Sequence, residues 1–407
     1  MESGVIFLDI CCTAVCRWIL GIFIDERLKY REDSQMAKVE KGKAPDYILL
    51  LSVLALLGIG LIMVHSSSSV ATMSDWGDSF YYLRRQAMWA GVGLAVMVFM
   101  VGFPYQWIRK YAVHILAGSI LLLILVLVPG IGKVVNGARR WIDLGPVGFQ
   151  PSELNKLALI IFTAAGLAYN RNRIQRITTL SPYVLITLLC MGLILKQPDL
   201  GTALAIGGTA FVLWFSAGAH FLHLGGMVLA AIPALYYAIF SEDYRRARFL
   251  SFLNPWADPL GDGYHIIQSL LALGSGGFFG KGLGNSRQKL FYLPERHTDF
   301  IFAILGEELG LAGALLVVLL FALFAFRGYR IAVTAPDTFS SLLATGLTTM
   351  IVLQAVINIG VVTGSIPITG ITLPFVSYGG SSLIPSMMGI GMLLNISRYC
   401  RTSNMKV

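Results

Sequence analysis

FYLPERHTDFIFAILGEELGLAG, residues 291–313, runs from a polar, charged loop straight into a strongly apolar segment that carries three carboxylates. A charged side chain at the centre of a membrane helix costs at least about 2.5 kcal/mol on insertion scales. Asp299, Glu307 and Glu308 therefore need partners, water or a chemical task. Whether the apolar half crosses a membrane, and which side the charged half faces, decides how the whole chain is read.

The surrounding composition answers the first question. The chain has 407 residues, 56% hydrophobic and only 13% charged, against roughly 25% charged in a soluble domain. A bilayer crossing needs about 20 apolar residues. Ten candidate runs recur, at 48–64, 86–103, 111–128, 154–168, 183–195, 201–217, 224–240, 300–326, 339–362 and 375–396. These predict an all-α polytopic membrane protein of about ten transmembrane helices, with a single transmembrane domain over 46–398 and a large extracytoplasmic loop, 241–298, between spans 7 and 8. A loop that long is usually functional or disordered. Its turn cluster around Asn254, Pro255 and Asp258, followed by a short apolar helix breaking into glycines at 265–284, argues for order. That helix is too short to span, so it should lie on the membrane surface or dip into the bundle.

Lys and Arg in short loops mark the cytoplasmic side. Arg109 with Lys110, Arg171 with Arg173 and Arg176, Arg327 with Arg330, Arg398 with Arg401, and the basic run 27–43 fall on alternate loops. Both the lead-in to the first span and the tail 399–407 are thereby placed inside. Two outside loops then oppose the usual bias. One holds Lys133, Arg139 and Arg140; the other holds Arg245, Arg246, Arg248, Lys281, Arg287, Lys289 and Arg296. Singly, such cations are solvated or touch lipid headgroups; together they resemble a surface for an anion outside the membrane. The net charge of +9 thus points to phosphorylated lipid and not to nucleic acid, for which no module is present.

The segment 1–45 is a cytoplasmic or interfacial lead-in. Within it, 5–24 is apolar but interrupted by Asp9 and Arg17 and lacks a preceding basic residue, which makes a poor signal peptide. An interfacial helix, an eleventh span and a start at Met36 all stay open. Cys11, Cys12 and Cys16 lie here, apart from Cys190 and Cys400, and no disulfide or metal framework is readable.

Five blocks carry a resemblance: ARRWIDLGPVGFQPSELNK (138–156), QPDLGTA (197–203), GYHIIQSLLALGSGGFFGKGLG (263–284), YLPERHTDFIFAILGEELG (292–310) and ITGITLPFVSYGGSS (368–382). In this order they resemble the signature blocks of the SEDS family (shape, elongation, division and sporulation), with wording closer to the division and sporulation branch of FtsW and SpoVE than to RodA. The resemblance implies a ten-span peptidoglycan glycosyltransferase that polymerises lipid II at the outer face of the bacterial cytoplasmic membrane. It also implies a class B penicillin-binding protein transpeptidase and other division or elongation complex proteins as partners. A divalent cation, Mg or Mn, is the expected cofactor, its ligands unassigned. A transporter that flips the same lipid-linked precursor is the alternative.

Such a transfer asks for a base at the attacking sugar hydroxyl and fixed positive charge at the departing pyrophosphate. Asp299 is the candidate base. Partial desolvation would raise its pKa toward neutrality, while Arg296 and His297 would hold it ionised. The plain reading of Thr298 or Asp299 is a helix N-cap; the resemblance, in which the aspartate of the HTD block is catalytic, favours chemistry. Glu307 and Glu308 lie about 12 Å or more further along the helix and are read as scaffold paired inside the bundle. The candidate substrate-binding residues are Arg85, Arg139, Arg140, Trp141, Gln150, Lys156, Glu295, Arg296 and His297. Lys156, one turn inside a span, must snorkel or meet an anion, and Trp141 could equally be an interfacial anchor. Some family members carry arginine where this chain has Gly148, so that part of the clamp is either missing here or supplied by Arg139 or Arg140. Gln197, Pro198 and Asp199 read as a break between spans with Asp199 as N-cap. Gly379 and Gly380 suit close helix packing.

Overall fold

The computed structural model describes residues 44–135, 137–143 and 148–400. From Pro45 onward the chain forms one compact unit. The readings made for 1–43 and for most of the tail fall outside the described residues.

Each predicted apolar run coincides with a helix. In chain order these are α1 (Tyr47–Trp76), α2 (Tyr81–Gly102), the short α3 (Tyr105–Lys110) and α4 (Ala112–Leu127). After a small sheet come α5 (Pro151–Tyr169), α6 (Ile177–Leu195), α7 (Leu200–Ser216) and α8 (Phe221–Phe240). The long loop contributes α9 (Asp243–Leu253) and α10 (Tyr264–Gly276) before α11 (Ile301–Thr334), α12 (Thr338–Val362) and α13 (Gly380–Ser397). Among the described residues, α1, α2, α6, α8, α11 and α12 are long and apolar enough to cross a membrane, and α4 and α7 are shorter apolar helices. The chain is a multi-pass membrane protein.

Local chemistry sets the helix ends. Asp46 accepts from the Ile48 and Leu49 N–H groups at the start of α1, and its carboxylate also receives Arg327 at 2.5 Å. Asp337 and Ser340 form a capping box on α12. Asp199 caps α7 by accepting from Thr202 N, as its sequence position predicts. The strongest apolar window of α12 is 72% buried and that of α8 only 6%, so α12 is the central helix and α8 the peripheral one. Small residues set the closest approaches: a Cβ on Gly380 would stand 2.4 Å from the Trp89 ring, which ties α13 to α2.

The loops depart from an all-helical expectation. Three short segments form an antiparallel sheet, β1 (Gly132–Val135), β2 (Ala138–Asp143) and β3 (Gly148–Phe149), with Lys133 opposite Trp141 and Asp143 opposite Gly148.

The apolar helix of the long loop dips into the bundle. α10 buries Ile266, Ile267 and Ala272, and Ser269 donates to Val362 O on α12 at 2.7 Å. The glycine-rich segment that follows pairs with α11 where that helix is broken at Gly310 (φ 68°, ψ −167°). Lys281 N and Gly282 N donate to Glu307 O and Glu308 O, each at 3.0 Å, and Leu311 N and Ala312 N donate to Gly277 O and Phe278 O at 2.9 and 3.0 Å. A broken membrane helix exposes main-chain groups that lipid cannot satisfy, and here a second main chain satisfies them. Gly280 (φ +79°) is required at that contact, because a Cβ there would lie 2.2 Å from Glu308 O.

Candidate functional site

Asp299 sits in the tight turn that leads into α11. Glu295 O accepts from the N–H groups of Thr298 and Phe300 at 3.2 Å each, and Glu295 Oε2 accepts from Thr298 Oγ1 at 2.8 Å. Three consecutive carbonyls, from His297 to Asp299, are held from outside the turn. His297 O accepts from Tyr378 N at 2.9 Å, Thr298 O from Ser377 Oγ at 2.6 Å, and Asp299 O from Asn358 Nδ2 at 2.8 Å. With its main chain fixed on three sides, the Asp299 side chain is left for another use. It does not cap α11, whose N-cap is Phe300 without a side-chain bond. A Cβ on Gly370 would lie 3.6 Å from Asp299 Oδ2, in ordinary van der Waals contact, which places the Gly370 backbone next to the carboxylate.

Burial pushes the Asp299 carboxyl up from 3.8 to about 7, helped by the charges of Glu295 and Asp199 and opposed by Arg248 and Arg140. Two of the cations acting on it, Arg248 and Arg140, come from distant parts of the chain. Arg296 turns to the Phe291 ring, 4.8 Å from its centroid. Burial also lowers the His297 pKa, which favours a neutral imidazole.

Arg140, on β2, reaches across to the break before α7. It donates to Gln197 O at 2.8 Å and to Pro198 O, and its guanidinium is 4.0 Å from Asp199. Asp199, besides capping α7, accepts from Thr202 Oγ1 at 2.9 Å and from Gln150 Nε2 at 3.4 Å. Arg140, Gln150 and Asp199 therefore meet in one cluster whose charges are felt at Asp299.

A second wall is aromatic. Tyr82 on α2, His297 and Tyr378 stand in mutual contact, with ring centroids 4.6, 4.8 and 5.7 Å apart. Arg85 lies one turn from Tyr81 and donates to its hydroxyl at 2.8 Å. Gln86 completes the joint by donating to Ser377 O and accepting from Gly379 N, both at 3.2 Å.

Other predicted residues turn elsewhere. Arg139 donates to Leu127 O, the last carbonyl of α4, at 3.2 Å. Trp141 packs over Gly148, where a Cβ would stand 3.3 Å from the ring, so glycine makes room for the indole. Lys156 is buried and meets an anion of its own helix, Glu153, at 2.8 Å.

Residues 47–402 match the family model of FtsW, RodA and SpoVE, described as a cell cycle protein. The chain belongs to the SEDS family. It is 49% identical over 365 residues to stage V sporulation protein E of Bacillus subtilis, covering 89% of this chain and 99% of the relative. It is 45% identical over 353 residues to the protein named "probable peptidoglycan glycosyltransferase FtsW" in Geobacter metallireducens, covering 86% and 94%. Among solved structures it is similar to a chain of a peptidoglycan synthase complex described as coordinating polymerization and crosslinking, at TM-score 0.73 and 35% identity over 87% of this chain and 98% of that one. It is also similar to the rod shape determining protein RodA of Thermus thermophilus, at TM-score 0.66 and 32% identity over 87% and 97%.

Sequence reasoning placed Arg248 only within a general anion surface, and it missed His265 and Glu153. Arg248 on α9 acts on both Asp299 and His265. His265 on α10 stacks on Phe300, the residue after Asp299, with centroids 5.7 Å apart. Glu153 neutralises Lys156. The signal for Arg248 was its place among the cations of the outside loop; for Glu153 it was the i, i+3 spacing to Lys156.

Two of the cations assigned above to an anion-binding surface belong to the scaffold. Lys281 pairs with Glu307 at 2.7 Å and Lys289 with Glu308 at 3.0 Å. Glu307 also receives the Arg287 and Gln288 N–H groups, and Glu308 receives Ser66 Oγ from α1 at 2.6 Å. Both carboxylates are paired inside the bundle.

Proposed function

We propose that this SEDS protein is a peptidoglycan glycosyltransferase that polymerises lipid II, with Asp299 as its catalytic base. The reading rests on one observation above all: a carboxyl raised by burial to about 7, whose main chain is held by Tyr378, Ser377 and Asn358 and whose side chain does not cap α11. A general base works best with a pKa near the operating pH. The glycosyltransferase name of relatives at 45% identity supports it.

In the proposed step Asp299 takes the proton of the acceptor sugar hydroxyl as that oxygen attacks the anomeric carbon of the donor. The new C–O bond forms on the face opposite the departing oxygen, so configuration inverts. The old C–O bond breaks with its electron pair going to the lipid pyrophosphate. Arg140 and Arg85 contribute positive charge along the path of the leaving group, and the Tyr82–His297–Tyr378 wall offers ring faces to a sugar. A general base and a cationic clamp are the two demands of this chemistry.

A divalent cation fits only as a companion of the substrate. Among the described residues no group of three or more His, Cys, Asp or Glu side chains could hold a metal ion. Mg2+ is commonly held by one or two carboxylates plus substrate phosphates. Asp299 and Glu295 are the carboxylates that could contribute, and when bound the ion would neutralise developing phosphate charge.

The topology that accompanies this function is ten spans, α1, α2, α4, α5, α6, α7, α8, α11, α12 and α13, with the 241–298 loop and Asp299 outside. Similarity to a chain of a peptidoglycan synthase complex supports a class B penicillin-binding protein as partner. The transporter reading loses support because the deep charges Glu153, Lys156, Glu307 and Glu308 are spent on internal ion pairs. The test is purified protein given lipid II and Mg2+ or Mn2+, alone and with a cognate transpeptidase. Glycan polymer is expected. Lipid II movement across liposomes with no polymer under any of these conditions would reverse the choice.

A further inference from the structure

Gln86 stands where the packing pattern of α2 calls for an apolar residue. The buried face of that helix runs Gln86, Ala90, Gly93, Met97 and Met100, at spacings of three and four, and Gln86, with no exposed surface, is its one polar member. A buried amide is costly unless its donor and acceptor are both bonded. Here both go to one short segment between α12 and α13. Nε2 donates to Ser377 O and Oε1 accepts from Gly379 N, each at 3.2 Å.

That segment is fastened in turn to the turn of Asp299. Ser377 Oγ donates to Thr298 O at 2.6 Å and accepts from Leu373 N at 2.8 Å, and Tyr378 N donates to His297 O at 2.9 Å. Phe375 within it is buried at φ +65°, a left-handed conformation that a non-glycine residue keeps only where its surroundings fix it. Gly60 of α1 closes the other side, since a Cβ there would stand 2.4 Å from Phe375 O. Residues 373–379 are therefore a braced link, with Gln86 at one end and the carbonyls beside Asp299 at the other. The same helix face leads to the aromatic wall. Tyr82, one turn before Gln86, has its ring 4.6 Å from that of His297 and 4.8 Å from that of Tyr378, and Arg85 precedes Gln86 in the chain.

We propose that Gln86 and Ser377 are positioning residues that hold the α2 face bearing Tyr82 and Arg85 in register with Asp299. This deepens the reading of Asp299 as the base of a lipid II polymerase and rests on it. Both side chains are buried, so neither meets substrate. What they fix is the placement of the substrate-facing groups of α2 relative to the base. Cutting the link leaves Tyr82, Arg85 and Asp299 all present, so lipid II still binds, while their mutual placement relaxes. Loss of placement without loss of groups lowers kcat and spares KM, and a misplacement of about 1 Å costs up to about a hundredfold.

The test uses the full chain with lipid II and Mg2+. Gln86→Met, close in shape but unable to make either bond, should lower kcat about tenfold or more while KM and lipid II binding stay within about twofold of wild type. Ser377→Ala, which removes the hydroxyl held on Thr298 O, should do the same. Because the two residues act through one link, the double variant should be little slower than the slower single variant, whereas independent losses would multiply. Wild-type kcat in folded Gln86→Met, losses that multiply, or a KM that rises as far as kcat falls would each overturn the proposal. Should Gln86→Met not fold, Ser377→Ala cuts the same link nearer to Asp299 and decides alone, unchanged kcat again overturning it. Hydrogen exchange separates this outcome from failure of the polymerase reading. In either variant the amides of 295–300 and 373–379 should exchange faster than in wild type, whether or not wild type makes polymer, and unchanged exchange there would likewise overturn the proposal.

Discussion

Asn358 of α12 donates its side-chain amide to the main-chain carbonyl of Asp299 at 2.8 Å, and the same amide reaches Ile371 O at 2.7 Å. One buried side chain therefore ties the turn bearing the candidate base both to the central helix and to the segment before α13. Leaving a buried carbonyl unpaired costs about 1–3 kcal/mol. Asn358→Leu strands two, and should lower stability by at least about 2 kcal/mol while reducing kcat more than it changes KM. Thermal unfolding in detergent alongside polymerisation kinetics checks this. Unchanged kcat would mean that the tether does not position Asp299.

Asp299 also sets a pH signature. With its pKa near 7, kcat/KM should fall tenfold per pH unit below neutrality. The linkage sign follows from the same shift. Between about pH 4 and 7 the folded carboxyl binds its proton while the unfolded one has released it, so stability declines as pH rises through that window and levels above it. Asp299→Asn removes this cost. Its unfolding temperature should exceed that of wild type at pH 8, and the difference should vanish near pH 4; the opposite order at pH 8 would show that the carboxylate is stabilised, and not strained, in the fold.

The Lys289–Glu308 pair offers a test of the scaffold alone. Both side chains are buried, and breaking such a pair leaves an uncompensated charge at a cost of about 3–5 kcal/mol, whereas replacing both partners by apolar residues is often neutral. Lys289→Met should unfold at markedly lower temperature, and Lys289→Met/Glu308→Leu should regain most of the loss. Equal destabilisation in single and double variants would show that the charges act separately.

Much of this was legible in the sequence. Apolar runs gave the helices because a membrane span declares itself by length and composition. Asp299 declared itself by standing where a charged loop meets such a run. The partners of the charges were not legible. Lys281 and Lys289 meet Glu307 and Glu308 only because a glycine segment re-enters and pairs with the α11 break, a contact no periodicity signals. Arg248 and Arg140, whose charges act on the Asp299 carboxylate, stand 51 and 159 residues away from it in the chain. The small sheet at 132–149 escaped notice because its strands are short and β2 carries Arg139, Arg140 and Asp143, which blur alternation.

The most direct measurement is polymerisation by Asp299→Ala and Asp299→Asn protein, purified, shown to be folded by thermal unfolding, and supplied with lipid II and a divalent cation. The account predicts binding of lipid II close to that of wild type and no glycan polymer from either variant at any pH from 6 to 9. Polymer made by folded Asp299→Asn at a rate near wild type would contradict it.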